Sequence, residues 1–413
     1  MNLLNPKIVL DNFDSVVETK NYINKIKIIK HLYTEGSNTA SHIGQTVGIS
    51  LPTVSLLLGD LLEDQIVVKE GRGESHGGRK PDLYGLTNDS FFILAVDLDK
   101  FSARVALYNT RNEKISEIGY SKIKLSNQAE AIEEIYRFAM DFIKKSKLQD
   151  SKIIAIGITM PGLVDSVAGI NHTYLHVGKK SLKVQLEKKF GRKVYIENDA
   201  RAMTLAEFNF AHKDNHKNVL GIFVDWGIGL GIIIDNKLYR GYSGFAGEFS
   251  HSPLFDYKGI SCTCGKRGCL ETVASGTAMV RMAKEAIDKN KDTILSQMSQ
   301  TKGRDLNPDW VVEAALAGDH AAISILSEVG MDLGRGIAIL IQLFNPELII
   351  LGGSIAEAKN YILTPIQQAL NIYSMSKLAD KTQILLSSLG KEVGLKGAVS
   401  IVNEHIFEEI MHQ

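Results

Sequence analysis

The chain has 413 residues with 47 Lys plus Arg and 47 Asp plus Glu, so its formal net charge is zero. Hydrophobic residues make up 44% and charged residues 23%, a balance that excludes a disordered chain. At about 150 residues per domain, the length predicts two or three domains. Zero net charge excludes a protein that holds nucleic acid through bulk positive charge, but it allows a small DNA-binding module.

No apolar run approaches the ~18 residues that a membrane helix needs. The first twenty residues carry acids within their apolar stretch and lack the layout of a signal peptide. We therefore expect a cytoplasmic protein without a membrane partner. The three cysteines all fall between positions 262 and 269, and this clustering calls for a chemical explanation.

Residues 22–86 have the pattern of three helices followed by two short strands. Thr39 and Gly48 are placed to begin and end the second helix, and Ser50 is placed to cap the third. A polar, glycine-rich loop joins the strands predicted at 66–70 and 83–86. This order predicts a winged helix-turn-helix domain in residues 1–88.

Such a domain places its third helix in the major groove, and the loop of its wing can enter the minor groove. The candidate DNA-binding residues are Ser50, Thr53, Ser55, Gly77, Gly78, Arg79 and Lys80. Nine Lys or Arg face ten Asp or Glu in residues 1–88, so DNA affinity must come from a few placed groups. A homodimer or homotetramer would present each of these groups to the DNA more than once. A mobile, solvated linker is the alternative for the glycine-rich loop.

From Phe91 onward, strands and helices alternate, which is typical of α/β lobes with mixed sheets. Two similar strand pairs are predicted at 91–99 with 103–109 and at 219–226 with 227–235. Their similarity indicates an internally duplicated body with a cleft between its lobes. Between the second pair and a long helix at 321–344, we expect a loop-rich middle.

The three cysteines provide soft metal ligands, and Gly265 and Gly268 permit the tight turns that would aim them at one point. A histidine lies eleven residues before the first cysteine. Three thiolates and one imidazole complete a tetrahedral zinc centre without an open position. The sequence therefore predicts structural Zn²⁺ bound by His251, Cys262, Cys264 and Cys269. A disulfide with one leftover cysteine, or three unrelated buried thiols, are the alternatives.

With GEFSHSP at 247–253 and CTCGKRGCLE at 262–271, the chain resembles the ROK family, named for repressors, open reading frames and sugar kinases. The resemblance covers residues 91–413 and also includes PGLVD (161–165), ENDA (197–200), DWGIGLG (225–231) and LFNPELIILGG (343–353). The helix-turn-helix with its GGRKP wing resembles the repressor-type members, such as the N-acetylglucosamine and xylose repressors.

The resemblance implies an actin-like, ribonuclease-H-like body of two α/β lobes. The first lobe would comprise residues 91–200 and be completed by a C-terminal helix at 396–413. The second lobe would comprise residues 201–395 and carry the zinc loop.

The resemblance also implies a sugar bound in the interlobe cleft. Asp199 corresponds to the catalytic base of the family's kinases. The implied sugar-binding residues are Gly162, Asn198, Asp199, Glu248, His251 and Glu271. Carboxylates and an amide satisfy the adjacent hydroxyls of a sugar, which both donate and accept hydrogen bonds. Considered alone, Asn198 and Asp199 would be read as a helix cap, and Glu271 as a solvated surface acid.

Kinases of the family place Asp-x-Gly-Gly-Thr at the first phosphate-binding turn, where this chain has Asp97-Leu98-Asp99-Lys100-Phe101. An acid, a lysine and an aromatic ring replace the residues that wrap the phosphates. We therefore expect no enzyme activity and interpret Asp199 as an effector ligand. The second turn, Gly227 to Gly231, keeps its glycines and is also consistent with a tight strand turn.

Two segments depart from the family pattern. Leu56 stands in the third helix where related proteins often carry a basic residue, which alters the predicted DNA contact. His172, His176, Lys179 and Lys180 suit an anionic sugar or an exposed loop.

The sequence thus predicts a sugar-responsive transcriptional regulator, a repressor of operator DNA with a small sugar effector. An ATP-dependent sugar kinase with a regulatory DNA-binding head is the main alternative. A body that binds only a protein partner is a third.

Overall fold

The structure is a computed structural model that describes residues 15–73, 80–178, 180–255, 259–289, 293–302 and 306–411. The chain divides into two compact units. Unit 1 comprises residues 1–197 and 398–413, and unit 2 comprises residues 198–397. The predicted helical head therefore belongs to the same unit as the first α/β lobe.

The N-terminal part of unit 1, the head, has three helices and a small antiparallel sheet with strand order β1-β3-β2. In chain order its elements are α1 Val16–Glu35, β1 Asn38–Thr39, α2 Ala40–Val47, α3 Leu51–Glu63, β2 Val67–Arg72 and β3 Asp82–Leu86. Helices α2 and α3 meet at 113°. Their buried faces, with Ile43, Leu57 and Leu61 at 0–1% exposure, form the core of the head.

Helix α1 begins earlier than the apolar spacing alone indicates. Ser15 and Glu18 form a capping box in which each side chain accepts from the other residue's backbone amide, at 3.2 and 3.0 Å. Val16 and Val17 are exposed at 86% and 66%, so the first turn carries no buried stripe. The helix start is fixed by its cap rather than by burial.

The caps of the next two helices differ from each other. The Thr39 side chain accepts from the amide of His42 at 3.2 Å, which confirms its predicted role. Ser50 is the N-cap residue of α3, as predicted, but its side chain makes no capping hydrogen bond. Its hydroxyl lies 2.8 Å from the Thr53 hydroxyl instead.

The rest of unit 1 is built on a five-stranded mixed sheet with strand order β10-β7-β4-β5-β6. Its elements are β4 Phe92–Leu98, β5 Ala103–Tyr108, β6 Gly119–Ser121, α4 Ala129–Lys145, β7 Ile153–Met160, β8 Val164–Asp165, β9 Ile170–Asn171, α5 Leu182–Phe190 and β10 Lys193–Asn198. β4 pairs antiparallel with β5 and parallel with β7. The core of this sheet is closed by the apolar faces of α4 and α5.

Unit 2 has a second mixed sheet, with strand order β13-β12-β11-β14-β15. The elements that follow β10 are α6 Asp199–Glu207, β11 Val219–Val224, β12 Ile228–Ile234, β13 Lys237–Leu238, α7 Glu271–Ala274, α8 Gly276–Lys289, α9 Ile294–Lys302, α10 Pro308–Leu316, α11 His320–Phe344, β14 Leu348–Gly352, α12 Asn360–Tyr373, α13 Ser376–Ala379, β15 Gln383–Leu386 and α14 Val393–Met411.

The two five-stranded sheets repeat one topology. In each, the first strand is central, pairs antiparallel with the second strand and pairs parallel with the fourth. This agrees with the predicted internal duplication and α/β fold.

The predicted loop-rich middle of unit 2 agrees with residues 239–270, whose described part has only one short 3-10 helix at Glu248–His251, but it was wrong for the stretch that follows. Helices α8, α9 and α10 lie between residues 276 and 316, and Met279, Leu295 and Trp310 are buried in the same apolar cluster as the long helix α11. Helices α9 and α10 have only nine residues each, and so short a segment gives little periodic pattern in the sequence.

No single helix in the described ranges is long and apolar enough to cross a membrane. Helices α2 and α3 reach the required length and composition only as a pair, and the pair is sharply bent.

Candidate functional site

Four side chains in unit 2 converge on one point. The ligand atoms of His251, Cys262, Cys264 and Cys269 all lie within 4.8 Å of one another. The Sγ atoms of Cys264 and Cys269 are 3.7 Å apart, and Cys262 Sγ is 3.5 Å from His251 Nδ1. These are the four residues that the sequence predicts as zinc ligands.

The spacing fits a tetrahedral zinc ion. Zn–S bonds of about 2.3 Å place two thiolates about 3.8 Å apart, and a thiolate and an imidazole nitrogen about 3.6 Å apart. A disulfide would need sulfurs about 2 Å apart, so the three cysteines are not paired. The donor set, three thiolates and an imidazole, is one that zinc prefers.

The loop that carries the cysteines is shaped by backbone hydrogen bonds. The Cys262 amide donates to Lys266 O at 2.8 Å, and the Gly265 amide donates to Cys262 O at 3.0 Å. Gly265 has φ +86°, a conformation that favours glycine. A bridge between Pro253 and Cys269 ties the histidine segment to the end of the loop.

The thiols of Cys264 and Cys269 are in different surroundings. A backbone hydrogen bond from Lys266 lowers the pKa of the exposed Cys264 thiol. Burial raises the pKa of Cys269 to about 12, since its thiolate would be desolvated. Cys269 therefore becomes a thiolate readily only beside a cation such as a bound metal ion.

The glycines that begin β12 have a packing role. A Cβ on Gly229 would lie 2.3 Å from the Ala200 Cβ, and one on Gly231 would lie 2.2 Å from Thr204 Oγ1. Both glycines lie within the strand and let helix α6 pack directly on it. The predicted tight turn is therefore mostly a strand, and the glycines place the start of α6 beside the start of β12.

Asn198 and Asp199 begin helix α6. Asn198 is its N-cap and accepts from the Arg201 amide at 3.1 Å. Asn198 Nδ2 donates to Asp199 Oδ1 at 2.9 Å, so the amide orients the neighbouring carboxylate. Both side chains are partly exposed. Capping and ligand binding are compatible, since each side chain keeps polar surface.

Glu248, His251 and Glu271 gather near the same end of unit 2. Glu271 Oε2 accepts from the Ile228 amide at 3.2 Å, which holds it at the start of β12. Burial raises the pKa of Glu248, and the nearby Glu271 carboxylate acts in the same direction, whereas His251 and Arg201 oppose it.

Arg201 lies near the predicted sugar-binding residues, and the sequence analysis did not identify it. It is 2% exposed, and its Nη1 donates to Gly244 O. This hydrogen bond connects α6 to the segment before Glu248, and the buried charge favours the ionised form of Glu248. The position of Arg201 inside a helix gave no periodic or motif pattern that would have identified it.

Gly162, the remaining predicted sugar residue, belongs to unit 1. It has φ +99°, and a Cβ there would lie 2.7 Å from Thr173 Cβ. The positive φ and the nearby Thr173 side chain both favour glycine at this position. His172, His176 and Lys180 are exposed in the loop that follows, and Lys179 lies outside the described residues.

The first turn of unit 1, between β4 and β5, differs from a phosphate-binding loop. Asp97 is 8% exposed and accepts from Arg104 Nε at 3.0 Å and from Thr159 Oγ1 at 2.7 Å. Asp99 accepts from the Lys100 amide at 2.7 Å, while the Phe101 side chain is 49% exposed. Two carboxylates thus occupy the turn, and one of them is held in an ion pair.

Four of the predicted DNA-binding residues lie in the described part of the head. Ser50 and Ser55 are exposed, Thr53 is partly exposed, and Lys80 is exposed after the wing loop. Gly77, Gly78 and Arg79 lie outside the described residues. The α3 surface also presents Leu51 and Leu56, exposed at 51% and 63%.

The ROK family model matches residues 93–405 of this chain. The chain belongs to the ROK family. A xylose repressor from Caldicellulosiruptor bescii is 30% identical over 389 residues, which cover 92% of this chain and 95% of the relative.

Two solved structures extend the comparison. A ROK family transcriptional regulator, a homologue of the Escherichia coli Mlc protein, matches with a TM-score of 0.79 at 26% identity. The match covers 95% of this chain and 98% of the regulator's chain. A ROK family glucokinase from Streptomyces griseus, in complex with glucose and AMPPNP, matches with a TM-score of 0.65 at 28% identity. The match covers 97% of the glucokinase chain but 74% of this chain.

Proposed function

We propose that this protein is a sugar-responsive transcriptional repressor that binds operator DNA through a winged helix-turn-helix. The observation that carries the proposal is the extent of the similarity. The xylose repressor aligns with 92% of the chain, whereas the family model begins at residue 93 and the glucokinase covers 74%. The head is therefore the part of this chain that the xylose repressor shares and the glucokinase lacks.

The geometry of the head supports DNA binding. The 113° between α2 and α3 falls in the range of helix-turn-helix pairs, and β2 with β3 forms a hairpin of the kind that serves as a wing. On α3, Thr53 and Ser55 offer hydroxyls to base edges, and Leu56 offers an apolar contact. Apolar side chains in the major groove contact the methyl group of thymine.

The wing loop supplies the second DNA contact in this proposal. Gly77 and Gly78 allow a close approach, and Arg79 enters the narrow minor groove of A·T-rich DNA. Lys80 contacts a phosphate. A homodimer or homotetramer doubles these contacts on a symmetric operator, and a repressor of this bacterial type acts in the cytoplasm.

The effector is a small sugar held in unit 2 by Asn198, Asp199, Glu248, His251 and Glu271. The support is chemical, because these side chains provide the mixed donors and acceptors that sugar hydroxyls require. The sugar changes operator affinity because it binds one conformation of the protein more tightly than another.

Zinc has a structural role in this proposal. Four protein ligands leave no coordination position for water or substrate, so the ion organises the loop rather than catalysing a reaction. Because the Nδ1 atom of His251 faces the thiols, its Nε2 is the nitrogen left for a sugar hydroxyl.

The alternative, an active sugar kinase, is favoured by the glucokinase similarity and opposed by the first turn. ATP phosphates need glycine amides and a hydroxyl there, together with a carboxylate available to Mg²⁺. In this chain Asp97 is paired with Arg104, and Asp99 would repel phosphate. We propose that kinase activity has been lost.

The deciding experiment measures DNA binding with and without sugar. Duplexes selected by the protein from a random library serve as operator, and D-xylose, other pentoses, hexoses and N-acetylated amino sugars are titrated. A sugar-dependent change in operator affinity is expected. Sequence-independent DNA binding that no sugar alters would contradict the proposal, and robust ATP-dependent sugar phosphorylation would establish the kinase instead.

A further inference from the structure

The C-terminal helix α14 contains residues of both units. It runs without a break from Val393 to Met411, and the division between the units falls between Gly397 and Ala398. An α-helix is stiff along its axis, and the six helical steps from Gly397 to Asn403 span only about 9 Å. A displacement at one end is therefore carried to the other.

The first turns of α14 are held in unit 2 by helix α6. A Cβ on Gly397 would lie 2.9 Å from the backbone of Ala202, so the two helices touch without room for a side chain. Lys396 Nζ lies 5.2 Å from the ring centroid of Phe210. Val393 packs in the small apolar cluster that also contains Ala200 and Ala206.

This contact is close to the proposed sugar site. Ala202 is one helical turn after Asn198 and Asp199, the residues that begin α6. Because packed interiors have almost no free volume, a shift of α6 cannot be absorbed at the Gly397 contact. A displacement of α6 at the proposed sugar site would therefore press directly on α14.

The remainder of α14 is packed within unit 1. A Cβ on Gly157, in the central part of β7, would lie 1.9 Å from Ala398 O. Glu409 forms ion pairs with Lys183 and Lys193, at 3.4 and 3.1 Å.

The same part of α14 contacts the head. The Tyr33 hydroxyl of α1 lies 2.6 Å from Asn403 Oδ1, and Asn403 Nδ2 donates to Asn112 Oδ1 at 3.0 Å. The ring of Tyr33 is 5.3 Å from that of Phe407, centroid to centroid. Lys30, also on α1, forms an ion pair with Glu408.

We propose that α14 transmits sugar binding to the DNA-binding head, from the Ala202–Gly397 contact at one end to the Tyr33–Asn403 contact at the other. This inference rests on the proposed function and identifies how its effector site is regulated. The sugar selects a conformation of α6 that shifts α14. Helix α1, which is hydrogen-bonded to α14 through Tyr33 and Asn403, moves with it. The movement of α1 changes the geometry of the head on DNA.

The test is Tyr33→Phe, which keeps the ring and removes the hydroxyl that bonds to α14. Sugar affinity and sugar-free operator affinity should stay within about twofold of wild type. The ratio of operator affinities with and without sugar, typically about 5- to 150-fold in coupled systems, should fall by at least threefold. Glu408→Gln, which removes an exposed ion pair of small stabilising value, should reduce the same ratio without affecting folding.

Tyr120→Phe is the matched control, since Tyr120 is 62% exposed on β6 of the same unit, and it should leave the ratio unchanged. A full sugar response in Tyr33→Phe, in Glu408→Gln and in the double variant overturns the role of α14 alone. A wild-type protein that binds its operator but responds to no sugar overturns the proposed function and this inference together.

Discussion

Arg104 donates through Nε to the carboxylate of Asp97 at 3.0 Å. This ion pair engages the carboxylate that stands at the first turn of unit 1, where the kinases of the family bind phosphate. From this pairing we expect no sugar phosphorylation. A coupled assay with ATP, Mg²⁺ and a panel of hexoses and pentoses should give turnover no faster than the background without protein. Sustained turnover by purified protein would show that the altered turn still binds ATP phosphates productively.

The same pair contributes to stability. Arg104→Ala leaves the nearly buried Asp97 carboxylate with the Thr159 hydroxyl as its remaining described side-chain partner, which should cost about 1–3 kcal/mol. Urea unfolding at pH 7 measures the loss. Arg281→Ala is a suitable control, because its ion pair with Glu285 lies on the exposed face of a helix and should change stability by less than about 0.5 kcal/mol.

The cysteine cluster should bind one zinc ion per chain. Metal analysis of protein purified without chelator should find about one equivalent, and Cys269→Ser should lose most of it. Thr263→Ser, placed between two ligands, is the matched control and should retain the metal. Removal of zinc should lower the melting temperature, since free zinc at one hundred times its Kd stabilises the folded state by about 2.7 kcal/mol. A metal-free protein with an unchanged melting temperature would exclude the site.

Asp199→Asn tests the sugar site. The amide preserves the shape of the side chain but loses the acceptor charge, so sugar affinity should fall by about tenfold or more. Calorimetric titration with the sugar identified in the panel measures the effect. Glu285→Gln, an exposed carboxylate in the same unit, should bind the sugar normally. Equal affinities in wild type and Asp199→Asn would remove Asp199 from the site.

Leu56→Ala tests readout by α3. The side chain is 63% exposed, so its loss should change stability by no more than about 0.5 kcal/mol. If it contacts a thymine methyl, operator affinity should fall by about 1 kcal/mol, roughly fivefold. Replacing the contacted thymine with uracil should then weaken wild type but not the variant. Leu343→Ala is the control, since Leu343 lies in unit 2 and is 72% exposed.

Asp332 on α11 gives a pH-dependent stability. Burial and the Glu328 carboxylate raise the pKa of Asp332 to about 6, against about 4 in an unfolded chain. Because the raised pKa belongs to the folded state, protonated Asp332 contributes to the free energy of unfolding below about pH 4. This contribution is lost as the pH rises through about 6. Asp332→Asn should therefore stabilise the protein by about 1 kcal/mol at pH 7.5, after allowance for solvent screening, and by almost nothing at pH 4. Urea unfolding at the two pH values measures the difference.

The zinc ligands were predictable from sequence because all four lie within nineteen consecutive residues, where spacing and glycines decide geometry. The alternating pattern and the paired strands likewise predicted both mixed sheets. The Tyr33–Asn403 contact was not predictable, since its partners are 370 positions apart and neither belongs to a motif. Arg104 and Arg201 were missed for the same reason, because their roles depend on partners that only the tertiary structure brings near.

The chain order of the two units has a consequence for biosynthesis. Unit 2 is one continuous segment, residues 198–397, so it can fold as soon as it leaves the ribosome. Unit 1 waits for residues 398–411, the last to be translated among those described, before Gly157 and Tyr33 meet their partners. A chain that ends before Ala398 can therefore fold its unit 2 while the head still lacks the helix that supports it.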